Sequence, residues 1–180
     1  MAARRVLVTF GLAVLLFFVG FVIHEGLHLA VIRLVGAQAS LVVRPWRFNY
    51  LPLTLPSVHA QPLPPLDFDR QLAVNFFGPA PAALIFMAAM FWVRDRRWSL
   101  ALAANAAVLV FYALIEAGSL IAEAHGVDPG VLEMEEFNYG VPLLLLVLAA
   151  LLAAAGRYPP AAVTSMSVTK PAPRPISTPE

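Results

Sequence analysis

Residues 24–28 read HEGLH, so His24, Glu25 and His28 form the spacing H-E-x-x-H within the apolar run FFVGFVIHEGLHLAVIRLVG. On a helix, positions i and i+4 project from one face, so both imidazoles can reach one metal ion. Zinc takes imidazole nitrogens at about 2.0–2.1 Å, a reach that this spacing supplies without breaking the helix. Glu25 lies near the same face and can take a proton from a metal-bound water, whose pKa zinc brings down to about 7. With the 4 His and 7 Glu of this chain, chance would produce the pattern in roughly one such chain of 300. Ionisable groups at membrane depth cost several kcal/mol and face a cavity or a partner. The competing use of such histidines is an interhelical hydrogen bond.

The elements that must position these residues follow from composition. Of 180 residues, 60% are hydrophobic and 13% charged, with mean hydropathy +0.77, about half the charge of an ordinary soluble domain. Long uncharged apolar runs predict an all-α polytopic membrane protein of about four transmembrane helices. The expected spans are about 6–35, 71–93, 99–124 and 141–156, in one membrane domain covering 1–156. The first span is too long for a signal-peptide apolar region and is read as an uncleaved helix. Between the first two spans, residues 37–70 are irregular or β-like. Short strands at the membrane surface fit 38–55, and the proline-rich PSVHAQPLPPLDFDR should be irregular. The tail 157–180, rich in Pro, Ser, Thr and Ala, is expected to be disordered.

The net charge of +1 and the absence of a basic arm give no reason to expect nucleic acid as a partner. With no cysteine, disulfides and thiolate metal sites are excluded. Arg4, Arg5, Arg94, Arg96, Arg97, Arg157, Lys170 and Arg174 fall on one side of a four-span arrangement, against Arg33, Arg44, Arg47 and Arg70 on the other. The positive-inside rule then places both termini in the cytoplasm of a plasma (inner) membrane.

A catalytic zinc needs a third protein ligand. His24 and His28 lie late in the first span, so a ligand from the parallel third span should also lie late. Glu116, in YALIEAGSL, meets that condition, and Asn75 lies early in the antiparallel second span, at the same depth. Three helices thus bring polar residues to one level. Asp67, Asp69, Asp128 and His125 are alternative third ligands from the connections on that side. Asn75 is a candidate for holding substrate backbone or an oxyanion. Gly78, Pro79 and Pro81 serve either a helix start with close packing or a local break that opens space beside the metal. Asn105, at the opposite depth, should make an interhelical hydrogen bond.

HEGLHLAVIRLVGAQASLVV resembles the zinc-binding helix of the site-2 protease family of intramembrane metalloproteases, and RQLAVNFFGPAPAAL resembles its second core helix with Gly78-Pro79. The resemblance covers roughly residues 10–125. It implies that His24 and His28 bind Zn2+ and that Glu25 activates water. The family's third ligand is an Asp in a Leu-Asp-Gly element; here LIEAG places Glu116 at that point, while PPLDFDR looks like related wording ahead of the Gly-Pro helix. Family members often hold the site near the cytoplasmic face, whereas the charge count places it at the outer end. The implied activity is zinc-dependent endopeptidase cleavage of membrane-protein or peptide substrates within the lipid bilayer. The alternatives are a non-catalytic, partner-binding protein of the same fold and a zinc hydrolase of non-peptide substrates. The sequence does not fix the oligomeric state.

Overall fold

A computed structural model describes residues 2–47 and 54–156. Five α-helices and one two-stranded sheet follow in the order α1 (Ala2–Leu34), β1 (Gln38–Arg47), β2 (Thr54–Leu63), α2 (Phe68–Phe77), α3 (Pro79–Met90), α4 (Arg96–Ala124) and α5 (Glu135–Ala155), with a 3-10 turn at Gly130–Glu133. Among the described residues, four helical stretches are long and apolar enough to cross a membrane: α1, α2 with α3, α4, and α5. The expected tail at 157–180 lies outside the described residues.

Helix α1 stops because Gly36 takes φ +85°, a left-handed conformation that costs glycine little. The Gly36 N–H then donates to the Arg33 carbonyl at 3.1 Å and the Ala37 N–H to the Ile32 carbonyl at 3.1 Å. This paired closure satisfies carbonyls that the helix leaves open. The chain is thereby turned into β1 just beyond the histidine-bearing turns.

The proline-rich stretch departs from its expected irregularity. Residues 54–63 form β2, antiparallel to β1, with Pro45 opposite Pro56 and Ala39 opposite Pro62. Prolines are tolerated because a two-stranded ribbon has two outer edges, and these positions share one parity along the strand. Ala60 has the same parity as Pro56 and Pro62, and its N–H leaves the ladder for Glu25.

The second span starts earlier than 71 and is divided. The Asp67 side chain accepts from the Arg70 N–H at 3.0 Å and caps α2, so the helix begins at Phe68. Pro79 has no N–H for the Asn75 carbonyl, so helix hydrogen bonding is interrupted at Gly78 and α3 resumes with Pro79 at its first position. Asp95 caps α4 through the Arg97 N–H at 2.8 Å, which draws part of the charged turn into the third span.

The fourth span departs most. Sixteen residues would rise only about 24 Å, short of a hydrocarbon core of about 30 Å. Helix α5 instead starts at Glu135 and holds 21 residues, about 31 Å at 1.5 Å per residue. Pro142 lies inside it and cannot donate to the Asn138 carbonyl four residues back. The Tyr112 hydroxyl of α4 donates to that carbonyl instead, at 3.1 Å.

Helix α4 is central and packs against α1, α2, α3 and α5. Ala13, Ala101, Ala104, Leu146, Ala149 and Ala153 join α1, α4 and α5, while Ala82, Ala83, Phe86, Ala106 and Leu109 join α3 to α4. Alanines let the helix backbones approach closely, as packing between membrane helices favours. Large apolar side chains such as Leu7, Phe18, Leu84 and Leu144 point outward, the distribution of a bundle surrounded by apolar solvent. Asn105 is buried and donates to the Ala13 carbonyl of α1 at 3.0 Å and to the Ala101 carbonyl at 2.8 Å, the interhelical bond expected of it.

Candidate metal centre

Helix α1 carries His24 and His28 one turn apart, both buried, with Nε2 atoms 2.6 Å from each other. From α4, the Glu116 carboxylate reaches both rings: Oε1 is 3.3 Å from His24 Nε2 and Oε2 is 3.2 Å from His28 Nε2. Among the described residues these three side chains form a group whose ligand atoms all lie within 4.8 Å of one another, close enough to hold a metal ion. For a tetrahedral ion with ligand distances near 2.05 Å, neighbouring ligand atoms sit about 3.3 Å apart. Both histidine–carboxylate separations match that spacing. The two imidazoles must part by about 0.7 Å from their 2.6 Å contact to do so. The donor set and its facing atoms therefore fit a divalent cation that accepts imidazole and carboxylate.

The surroundings orient these ligands unequally. Val74 of α2 lies beside the His28 ring, whose Nε2 faces Glu116. His24 is held by ring contacts with Phe21 and Tyr112, at centroid distances of 6.4 and 5.9 Å. Its Nδ1 is buried without a hydrogen-bond partner among the described residues. Gly78 is the close approach that seats His28: a Cβ at residue 78 would overlap the imidazole ring itself. The Gly-Pro break thus combines close packing with helix interruption, directly against a candidate ligand.

Glu25 is buried beside the group, and its Oε2 accepts from the Ala60 backbone N–H at 2.7 Å. Asn75 reaches the same level from α2. Its Nδ2 donates to the Glu116 main-chain carbonyl at 2.9 Å, and its Oδ1 accepts from Gln71 Nε2 at 2.6 Å. Asn75 is therefore a tie between α2 and the Glu116 turn, with one amide hydrogen beyond that bond.

The other candidate third ligands lie outside this group. Asp67 caps α2 and pairs with Arg70, and Asp128 accepts from the Gly130 N–H at 2.9 Å. Asp69 borders an apolar cavity with Phe76 and Ile121, and exposed His125 is in hydrogen-bond contact with its own helix at the Ile121 carbonyl.

Two cavities flank the centre, both bordered by Glu25, Glu116 and His59. One, of about 260 Å³, lies toward α4 and α5 with Phe21, Tyr112, Ile115 and Tyr139 on its wall. The other, of about 120 Å³, lies toward α2 with Gln71 and Asn75. Sequence reasoning left several of these residues aside. Gln71 and Tyr112 each precede a candidate residue by four positions, so helical spacing alone puts Gln71 on the face of Asn75 and Tyr112 on the face of Glu116. No comparable signal marks Ala60, whose contribution is a backbone N–H.

No protein-family model, curated protein or solved structure matches this chain.

Proposed function

We propose that the chain is a multi-pass membrane endopeptidase that uses zinc to hydrolyse peptide bonds of membrane-protein substrates, as its resemblance to the site-2 protease family implies. The observation that carries this reading is the convergence of His24, His28 and Glu116 beside Glu25, at a point bordered by two cavities. Zinc held by those three residues would supply Lewis acidity toward a carbonyl oxygen and water acidified to a pKa of about 7.

The chain's own residues do the rest. Glu25 receives a proton from the attacking water and passes it to the departing amine nitrogen. One water is consumed: its oxygen bonds to the carbonyl carbon, the C–N bond breaks, and a carboxylic acid and an amine result. The Ala60 N–H holds Glu25 by one oxygen, which fixes the direction in which the base faces. Asn75 steadies the Glu116 turn, and its remaining amide hydrogen is available to a substrate carbonyl. A membrane helix must unwind before attack, because its carbonyls are engaged along the helix. The β1–β2 ribbon offers an extended template for the unwound stretch.

The test is a metal and cleavage assay on purified protein in detergent. About one zinc per chain is expected in wild type and in Glu25→Gln, with cleavage of transmembrane peptides lost in the latter. Glu116→Ala should lose zinc. Wild-type protein that stays metal-free after zinc is offered overturns the reading. Zinc bound without cleavage of any peptide favours the non-catalytic alternative.

A further inference from the structure

The two cavities beside the centre differ in size and lining, and a scissile bond held there would place its flanking side chains one in each. A void of about 150 Å³ lined by apolar side chains is enough to hold a benzene ring. The cavity toward α5 exceeds that figure at about 260 Å³, and the cavity toward α2 falls below it at about 120 Å³. The larger is walled by Phe21, Tyr112 and Tyr139, whose ring edges and faces suit another aromatic ring. The smaller is bordered by Gln71, Asn75 and Ala60 beside Glu25 and His28, so its lining is polar and it offers little width.

We infer that the enzyme selects bonds with an aromatic residue on one flank and a small residue, Gly, Ala, Ser or Asn, on the other. This rests on the peptidase reading and adds a substrate class to it. The inference also gives α5 a part in recognition. Tyr139 stands in the first turns of that helix, held against α4 by the Tyr112–Asn138 hydrogen bond and by the Phe111–Phe137 ring contact at 5.4 Å. Helix α5 lies beyond residues 10–125, the stretch of the resemblance, so the part of this wall that Tyr139 forms is not implied by it.

The experiment offers zinc-loaded full-length protein a library of transmembrane peptides randomised at two adjacent positions, with products mapped by mass spectrometry. Aromatic–small pairs should be cleaved at least tenfold faster, in kcat/KM, than pairs with alanine in place of the aromatic residue. In Tyr139→Ala the aromatic preference should fall about threefold to tenfold. Cleavage that is indifferent to the flanks, or that favours two bulky residues, overturns the inference and leaves the peptidase reading standing. Zinc-loaded protein that cleaves no library member overturns both.

Discussion

A methyl group at residue 78 would stand where the His28 imidazole lies. The ring lies against that glycine, and its Nε2 faces Glu116 at 3.2 Å. Gly78→Ala should therefore act as a metal-site substitution although residue 78 carries no ligand. Disturbing the groups that orient a metal ligand costs about 10–100-fold in affinity. Zinc competition against a chromogenic chelator should show a loss in that range. Unchanged affinity would show that the ring has room to shift. Asn75→Ala acts one step further out, because it releases the Glu116 main-chain carbonyl but leaves the carboxylate in place. Zinc should remain bound in that variant while kcat falls, and loss of the metal would instead make Asn75 essential to the ligand geometry.

At the scale of elements, α5 depends on a side chain from α4. Pro142 removes the donor that the Asn138 carbonyl would have had, and the Tyr112 hydroxyl replaces it at 3.1 Å. Tyr112→Phe leaves that carbonyl without its donor, an omission worth about 1–3 kcal/mol where water is excluded. Thermal unfolding in detergent should report a loss of that order, and restoring an N–H with Pro142→Ala in the same chain should recover most of it. The start of α4 responds to pH instead. The Arg97 side chain, hydrogen-bonded to the Asp95 carboxylate, holds Asp95 at about 2, below its ordinary 3.8. A carboxylate depressed in this way contributes stability above its unfolded value and loses it as pH falls through the folded one. The difference in melting temperature between wild type and Asp95→Ala should stay level from pH 7 to about 4, then narrow toward pH 2. The pair is about half exposed, so the whole effect is small.

At the scale of the molecule, the metal would join α1 to α4, whose ligands His28 and Glu116 stand about half the chain's length apart. A ligand that binds only the folded state stabilises it by about 2.7 kcal/mol at a hundredfold excess over Kd. Zinc should raise the melting temperature of wild type and leave His28→Ala unmoved; an equal rise in both would place the binding elsewhere. The charge count also makes a claim that reporter fusions can check: both termini should report from the cytoplasm, with residues 37–70 opposite. The H-E-x-x-H helix, the four apolar stretches and the depth shared by His24, His28, Asn75 and Glu116 were legible from residue order, because each rests on helical period and span length. The division of the second span at Gly78 was legible only as two open alternatives. The strand at 54–63, the early start of α5 and the seating of Glu25 by Ala60 were not legible. Each is decided by a partner far along the chain: β1 for the prolines of β2, Tyr112 for Pro142, and a backbone N–H 35 residues away for Glu25. Local order determined which residues could do chemistry and on which helices they stand. Only tertiary packing decided what holds them, because hydrogen bonds between distant segments exist only once those segments meet.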